Sequence, residues 1–418
     1  MCFKISLDTY NKDLVNKKDQ QFNGNNYFIL NYNECKDLNI SILSNSVYDE
    51  YTETSEISFY RSIILDESQQ KILAIAPPKS ATLETFKSKY PVLSLNGNKC
   101  NLFQVNETIE GTMLNLFYDS TNDKWEICTK RKIGGNNTYF YNNTIEKKQS
   151  LTFKEMFLEA FGFTKDSDIN QIELIKNLPK NYCYSFVLQH PKNHIVFDIK
   201  HPAVYLVCVY KISNNNMIEY IQLSFIKALP VFENTSHCVQ FPKEIEIDGG
   251  FDYIDLINSF DYQEQISVGY MITDISSGVR TSISNPKYEF LKQLRGNDAN
   301  IHYQYFSLLR ANKLDEFLHH FPMYTELFNK FNNQVVDFIR QVHDAYVLYY
   351  VQKKGKEIRI PKHIFTHICK LHLDIHLPSK ERGEEIIIRK EVVADYFNSM
   401  LPKEKLNCLN YKNKTTNV

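Results

Sequence analysis

The chain has 418 residues, which is long enough for one large core with an accessory domain or for two or three ordinary domains. Apolar residues make up 43% and charged residues 23% of it, a balance that is typical of soluble globular proteins and disfavours disordered and membrane classes. The 48 basic and 49 acidic residues give a net charge of −1. The chain therefore lacks a strongly basic character, and any contact with a polyanion must come from a local basic cluster.

The cysteines and the N-terminus indicate where the protein resides. The nine cysteines are scattered without a CxxC pair, which favours reduced thiols over a disulfide framework or a zinc site. The first ten residues lack the apolar run of a signal peptide, and no window approaches an apolar span of membrane length. We therefore expect a protein of the cell interior, in the cytoplasm or nucleus, that is neither secreted nor bound to a membrane.

The first two thirds of the chain has mainly strand patterns. Residues 1–55 are polar with weak periodicity and predict a loosely structured leader. Apolar runs joined by polar turns then predict two hairpins, 59–65 with 71–76 and 111–118 with 125–129. Later strands are predicted at 184–188, 203–211 and 217–225, and a third hairpin at 266–273 with 279–283.

Helical patterns appear once within this region and then dominate. Thr152 and Glu155 have capping-box spacing ahead of an apolar 3.6-residue period. Asn285-Pro286 suits the start of a helix, and the polar tail from Asn407 is predicted to fray. Amphipathic helices are predicted over 323–351, 364–375 and 392–400. Together the patterns predict an α+β fold with a leader (1–55), an antiparallel β body (56–285) and a helical C-terminal domain (286–418).

One segment of the body suggests nucleotide chemistry. Thr108-Ile109-Glu110-Gly111 precedes a predicted strand. This segment resembles the nucleophile motif of the RNA ligase family of covalent nucleotidyltransferases, which reads Lys, any residue, an acidic residue or Asn, then Gly and a strand. Further segments resemble the family's later motifs in the expected order: 125–130, 184–196, 267–272 and 279–283. The resemblance covers roughly residues 58–290 and implies a nucleotidyltransferase fold.

The chain departs from this family at the positions that its chemistry requires. The nucleophilic Lys is replaced by Thr108, whose hydroxyl without an adjacent base cannot replace an attacking amine. The metal-binding carboxylate of the fourth motif is replaced by Val268, and one cation of the fifth by Ser282, which leaves Arg280. We therefore expect no catalytic residue and no metal site. The resemblance still implies a nucleotide-binding role for Glu110, Gly111, Lys130 and Arg280.

Glu110 and Trp125 each have two interpretations. The resemblance implies that Glu110 contacts the sugar of a nucleotide, whereas an exposed Glu at a strand edge is an equally good interpretation. Trp125, the only tryptophan, suits stacking on a base, but core packing is favoured. A displaced lysine (Lys79, Lys99 or Lys130) would restore an active RNA ligase that uses ATP and a divalent metal. Surface exposure is the favoured interpretation of all three lysines.

Two basic clusters are candidates for binding nucleic acid, RNA in particular. The first is Lys130-Arg131-Lys132, and the second combines Lys287, Lys292 and Arg295 with Tyr288 and Tyr303 as stacking groups. Solvated surface is the alternative for each. One predicted helix carries a row of four histidines: His363, His367, His372 and His376. The row lacks the HExxH pattern, so solvated or core-edge histidines are favoured over a metal site.

Other strings resemble the immediate-early infected-cell protein family of iridoviruses and related large DNA viruses: 59–62, 76–80, 110–113, 285–288 and 294–297. This resemblance implies a viral early protein that acts inside the host cell with viral or host protein partners. Three functions remain open. They are an inactive ligase-like binder of nucleotide, nucleic acid or a partner, an active ligase with a displaced lysine, and an interaction protein that docks through its helical domain.

Overall fold

The computed structural model describes residues 2–5, 12–32, 53–54, 57–68, 71–91, 103–138, 151–233, 238–246, 252–275, 278–296, 298, 300–354 and 359–415. The chain divides into two compact units. The β unit comprises Met1–Thr138 and Leu151–Lys292, and the helical unit comprises Tyr139–Ser150 and Gln293–Val418.

The strands that the structure describes all lie in the β unit. In chain order they are β1 (Cys2–Ile5), β2 (Val15–Phe22), β3 (Asn25–Tyr32), β4 (Glu53–Thr54), β5 (Ile63–Asp66), β6 (Lys71–Ile75), β7 (Phe103–Glu107), β8 (Thr112–Asp119), β9 (Lys124–Thr129), β10 (Lys132–Ile133), β11 (Tyr182–Gln189), β12 (Ala203–Ile212), β13 (Met217–Ile221), β14 (Val239–Gln240), β15 (Glu244–Ile245), β16 (Gly269–Asp274) and β17 (Arg280–Ser284). The α+β prediction is confirmed, because largely antiparallel sheets precede a helical C-terminal region.

The helices are distributed over both units. The first five lie in the β unit: α1 (Leu83–Lys89), α2 (Phe153–Ala160), α3 (Glu173–Lys176), α4 (Leu223–Lys227) and α5 (Tyr253–Asn258). Helix α6 (Pro286–Arg295) is followed by α7 (Ile301–Ala311), α8 (Leu314–His320), α9 (Thr325–Tyr346), α10 (Lys362–Lys370), α11 (Leu377–Glu381), α12 (Lys390–Ser399) and α13 (Pro402–Thr415). No described helix is long and apolar enough to cross a membrane.

The described strands form three sheets. The large sheet has the order β10-β9-β8-β11-β12-β13-β1-β4, with β14 pairing to β12. The β7 sheet has the order β15-β7-β16-β17, and the N-terminal sheet has the order β2-β3-β5-β6. Strands β7 and β8 are consecutive in the chain but belong to different sheets, so the segment between them crosses from one sheet to the other.

The large sheet is buried on both faces because both sets of alternating side chains are apolar. Along β11, Tyr184, Phe186 and Leu188 face a core that contains Phe157 of α2 and Ile226 of α4. Cys183 of the same strand lies in a second core, built with buried residues of the N-terminal sheet such as Ile29, Ile63 and Ile75. A third core joins the β7 sheet to α1 and α5 through Ile272, Phe86 and Leu256.

The predicted hairpins and the first helix are confirmed. β5 pairs with β6, β8 with β9 and β16 with β17, each in antiparallel register. Helix α2 begins with the predicted capping box, in which the Thr152 hydroxyl accepts from the Glu155 amide at 3.2 Å and the Glu155 carboxylate accepts from the Thr152 amide at 2.6 Å. The predicted face of α9 is buried as well, from Phe328 to Tyr346.

The expectation of a loosely structured leader is wrong for residues 15–32, which form β2 and β3. β2 is polar because it is the edge strand of the N-terminal sheet and most of its side chains are exposed. β3 buries Tyr27, Ile29 and Leu30. The Tyr27 hydroxyl donates to Asp119 at 2.6 Å, which ties β3 to the β8–β9 turn. Residues 33–52 of this segment lie outside the described residues.

Three other elements differ from the prediction. The run 57–61 is a short 3₁₀ helix, so the first hairpin begins at Ile63. The strand predicted over 217–225 ends at Ile221, because Leu223 and Ile226 have helical spacing and both are buried on α4. The polar tail continues as α13 to Thr415.

Candidate functional site

The crossing between β7 and β8 contains the residues of the ligase-like motif. The Thr108 amide donates to the Gly269 carbonyl of β16 at 2.8 Å, which ends the pairing of the β7 sheet. At Gly111, which has a φ of +154°, the backbone comes into close contact with that of β11. A Cβ at this position would lie 2.4 Å from the Leu188 carbonyl oxygen and 2.7 Å from Cγ1 of Val187. Glycine is therefore required by the close contact between backbones.

Glu110 is buried, with 5% of its surface exposed, and its carboxylate is bound by backbone amides. Oε1 accepts from the Ile195 amide at 2.8 Å and from the Val196 amide at 3.1 Å, and Oε2 accepts from Val196 at 3.1 Å. The expectation of an exposed strand-edge Glu is wrong. The carboxylate holds the 195–196 segment, one of the motif-like stretches, against the start of β8.

Tyr288 is a second buried residue of this site, close to the Glu110 carboxylate. Its ring is buried 5.6 Å from that of Phe197. Burial, followed by the negative charge of Glu110, raises the pKa of the Tyr288 hydroxyl. A buried ring cannot stack on a base, so the stacking role expected for Tyr288 is wrong.

The three positions at which the sequence departs from the ligase motifs, Thr108, Val268 and Ser282, have different surroundings. The Thr108 hydroxyl is buried and has no hydrogen-bond partner among the described residues. Val268 is half-buried and its carbonyl accepts from the Asn285 amide at 3.0 Å. Ser282 is exposed on β17, opposite Met271. None of these side chains supplies an amine or a carboxylate.

Arg280 lies on the same face of β17 as Ser282, because the intervening Thr281 is buried on the other face. Its Nε donates to the Pro78 carbonyl at 2.7 Å, and Nη2 donates to the Pro77 carbonyl at 3.4 Å. The guanidinium is thus anchored to the segment that follows β6.

The segment after β6 also contains Lys79. The side chain of Lys79 lies near two residues that are distant from it in sequence, Tyr32 and Lys130. The Lys79 amine lies 5.4 Å from the centre of the Tyr32 ring, and the Lys130 amine lies 4.3 Å from the same centre. Tyr32 ends β3, Lys130 follows β9, and Lys79 is fixed by its amide, which donates to the Ser58 carbonyl at 2.9 Å. We call Tyr32, Lys79, Lys130 and Arg280 the Tyr32 cluster.

The lysines of the Tyr32 cluster are half-buried, so part of each side chain remains at the surface, as the favoured interpretation of Lys79 and Lys130 requires. Arg131 and Lys132 are exposed beside Lys130 on the turn into β10. Gln20 supports this turn through both polar groups of Ile133, at 3.0 and 3.3 Å. Lys99 lies outside the described residues.

The second basic cluster does not present three exposed cations. Arg295 is 3% exposed, donates to the Gln304 side chain and lies 5.4 Å over the ring of Tyr324. Arg295 therefore does not offer the exposed guanidinium that the predicted cluster requires. Lys292 is exposed and forms an ion pair with Glu289 at 3.2 Å, and Lys287 is exposed.

Trp125 is a core residue, as the favoured interpretation holds. It is 3% exposed, and its ring lies 5.4 Å from that of Tyr118 and 6.2 Å from that of Tyr184. The Asn170 side chain binds both backbone polar groups of Trp125, at 2.7 and 3.1 Å. The proposed stacking of Trp125 on a base is wrong.

Glu126 is a buried carboxylate that sequence reasoning missed. Its Oε1 accepts from the Asn23 amide group at 3.2 Å, and Oε2 has no hydrogen-bond partner in the described part of the chain. Burial raises its pKa to about 6. Strand alternation places the Glu126 side chain on the face of β9 opposite to that of Trp125. The turn between β2 and β3 contacts Glu126 there through Asn23, and no local sequence pattern predicts this packing.

The histidine row lies at the edge of the helical core, in agreement with the interpretation that the sequence pattern favoured. The Tyr396 hydroxyl lies 2.8 Å from Nδ1 of His367, and the His372 ring stacks on Tyr350 at 3.8 Å. Nδ1 of His376 lies 3.0 Å from the Ile386 carbonyl. The residues that the structure describes include no group of three or more His, Cys, Asp or Glu side chains that could hold a metal ion.

Comparisons with known proteins yield only structural similarity. No family model matches the chain, and no curated protein matches it. Among solved structures it is similar to an RNA ligase mutant of Naegleria gruberi with ATP and Mn (10% identity, TM-score 0.33) and to another with AMP and Mn (10%, 0.33). Each similarity covers 46% of this chain and 51% of the ligase chain, about half its length. A mutant of the same organism's RNA ligase without ligand has 12% identity and a TM-score of 0.32, covering 66% of this chain and 76% of that one.

Proposed function

We propose that the protein is an RNA ligase-like protein without covalent catalysis that binds the phosphate backbone of RNA through the Tyr32 cluster. The observation that carries this proposal is the convergence of Lys79 and Lys130 on the Tyr32 ring, with Arg280 anchored one residue away from Lys79. Phosphate contacts by cations dominate affinity for nucleic acids, and a flanking aromatic ring is suited to stacking on an unpaired base. The exposed Arg131 and Lys132 extend the positive surface beside Lys130.

The absence of catalysis is supported by the residues at the motif positions. A nucleophile needs a neighbouring base or a depressed pKa, and the Thr108 hydroxyl has neither a base nor a hydrogen-bond partner among the described residues. Val268 cannot bind a metal. Glu110 is occupied with the amides of residues 195 and 196.

The second candidate is an active RNA ligase with ATP and a divalent metal, in which Lys79 or Lys130 supplies the amine. The position of both amines at one ring favours this candidate over one that uses a dispersed surface lysine. Incubation with labelled ATP or GTP and Mg²⁺ or Mn²⁺, followed by a denaturing gel, separates the two. We expect no covalent adduct, and an adduct that disappears in Lys79→Gln or Lys130→Gln would establish the second candidate.

RNA binding is tested with the double variant Lys79→Gln/Lys130→Gln in the full chain. We expect weaker binding to every single-stranded RNA sequence and a salt slope that is less steep by about 1.4, since each lost phosphate contact removes about 0.7. Lys165→Gln, an exposed lysine on the loop after α2, is the matched control and should leave binding unchanged. Unchanged binding in the double variant would reject the Tyr32 cluster as the site. If the wild-type protein does not bind RNA, docking of viral or host proteins through the helical unit becomes the better proposal.

We also propose, from the resemblance to iridovirus proteins, that the protein acts early in infection in the cytoplasm or nucleus of the host cell. A time course of its transcript in infected cells tests this timing. Appearance before viral DNA replication is expected, and appearance only after replication would contradict it.

A further inference from the structure

The helical unit contains a cluster of soft donor atoms that neither the ligase-like motifs nor the basic clusters involve. Sγ of Cys408 on α13 lies 3.4 Å from Nε2 of His367 on α10. The same sulfur lies 3.9 Å from Sδ of Met400, which follows the last residue of α12. The third donor, Met400, is a thioether. The cluster is therefore consistent with the finding that no group of three or more His, Cys, Asp or Glu side chains in the described residues could hold a metal ion.

We propose that Cys408, His367 and Met400 form a binding site for a monovalent soft metal ion, Cu(I). Thiolate, imidazole and thioether are the donors that favour copper over hard cations such as Mg²⁺ or Ca²⁺. For metal–sulfur bonds of about 2.3 Å and metal–nitrogen bonds of about 2.0 Å, donor atoms around one ion lie roughly 3.5 to 4 Å apart. The 3.9 Å distance between Cys408 Sγ and Met400 Sδ lies within this range, and the 3.4 Å distance between Cys408 Sγ and His367 Nε2 lies just below it.

The surroundings of His367 orient it for this role. The Tyr396 hydroxyl lies 2.8 Å from Nδ1, which fixes the ring so that Nε2 is directed at the Cys408 sulfur. The edge-on ring of Phe338 lies 5.3 Å from the imidazole. Cys408, His367 and Met400 are all half-buried, so none of the three side chains is fully enclosed. On binding, the Cys408 thiol loses its proton to solvent and the thiolate sulfur bonds to Cu(I), with no change in oxidation state.

The test is an anaerobic titration of the reduced full-length protein with Cu(I) against a chromophoric Cu(I) chelator. We expect one equivalent that is bound more tightly than the rest, with copper X-ray absorption showing both sulfur and imidazole ligands. Cys408→Ser should remove this equivalent, and Met400→Leu, which keeps an apolar side chain of similar size, should weaken it. Tyr396→Phe should weaken it about tenfold, because it removes the group that orients His367.

Cys369→Ser is the matched control, because Cys369 is a half-buried free thiol on the same helix as His367. It should retain the tight equivalent. The proposal is overturned if the wild-type protein has no tight equivalent, if Cys369→Ser loses it as Cys408→Ser does, or if folded Met400→Leu and Tyr396→Phe bind Cu(I) as the wild type does. Circular dichroism of each variant establishes that it is folded.

Discussion

Two buried glutamates show how strongly the role of a residue depends on its partners. Glu110 accepts hydrogen bonds from two backbone amides, so its burial is compensated. Glu126 has one partner for two oxygens, and the uncompensated desolvation raises its pKa. Glu110 therefore stabilises the crossing between the sheets, whereas Glu126 makes the stability of the protein depend on pH.

We expect the Glu126→Gln variant to remove part of this pH dependence. The pKa in the folded protein, about 6, lies above the ordinary value of 4.5, so the folded state holds the proton more tightly than the unfolded state. The contribution of Glu126 to stability is complete below pH 4.5 and is lost as the pH rises through 6. The difference in pKa corresponds to about 2 kcal/mol.

Urea unfolding between pH 4 and 8 measures this effect. The free energy of unfolding of the wild type, relative to that of Glu126→Gln, should fall by about 2 kcal/mol across this range. The buried histidines contribute to both curves, so the difference isolates Glu126. Glu264→Gln, at an exposed position, serves as the control and should follow the wild type. Parallel curves for wild type and Glu126→Gln would contradict the prediction.

Among the elements, the crossing from β7 to β8 requires a particular residue, glycine, at position 111. Strand β7 ends at Glu107, β8 begins at Thr112, and the four residues between them connect two sheets. The glycine of the motif is needed here for packing against β11 even though the nucleophile is absent. The residues that resemble the ligase motif therefore shape the backbone at this crossing.

We expect Gly111→Ala to lower the free energy of unfolding by about 3 kcal/mol, because the new Cβ would overlap the Leu188 carbonyl. Gly162→Ala is the matched control, since Gly162 also has a positive φ of +77° but open space around it. That variant should cost only about 1 kcal/mol of backbone strain. Denaturant unfolding of both variants checks the prediction, and equal losses would show that the contact at Gly111 is unimportant.

The elements that sequence reasoning missed have physical explanations. β2 has a polar pattern because it is an edge strand, and the alternation rule finds a strand only where one face is buried and the other is not. Arg295 belongs to an apparently basic helix, but the Gln304 side chain and the Tyr324 ring surround its guanidinium. Such burial depends on segments distant in sequence, which a local pattern does not contain.

At the scale of the whole molecule, the near-zero net charge limits how RNA can be bound. A charge of −1 provides no long-range attraction, so the proposed binding depends on a few close contacts. The Tyr32 cluster supplies three cations, and Arg131 and Lys132 raise the number to five. Lys79 and Lys130 of this set come from different parts of the chain.

We therefore expect the logarithm of the RNA association constant to fall with the logarithm of salt concentration with a slope between about −2 and −3.5, for three to five phosphate contacts. Fluorescence anisotropy of a labelled single-stranded RNA at a series of salt concentrations measures it. A slope near zero would contradict phosphate binding, and one steeper than about −6 would place most contacts outside this cluster.

The amino-acid sequence alone was sufficient to predict the fold class, the three hairpins and the capping box of α2. These features are local, because periodicity, turns and residue identity are read within a few positions. Only the tertiary structure brought Lys79 and Lys130 to Tyr32, buried Glu110 on two backbone amides and enclosed Glu126. Those outcomes depend on which strands become neighbours, and that is decided by the packing of sheets from segments far apart in the chain.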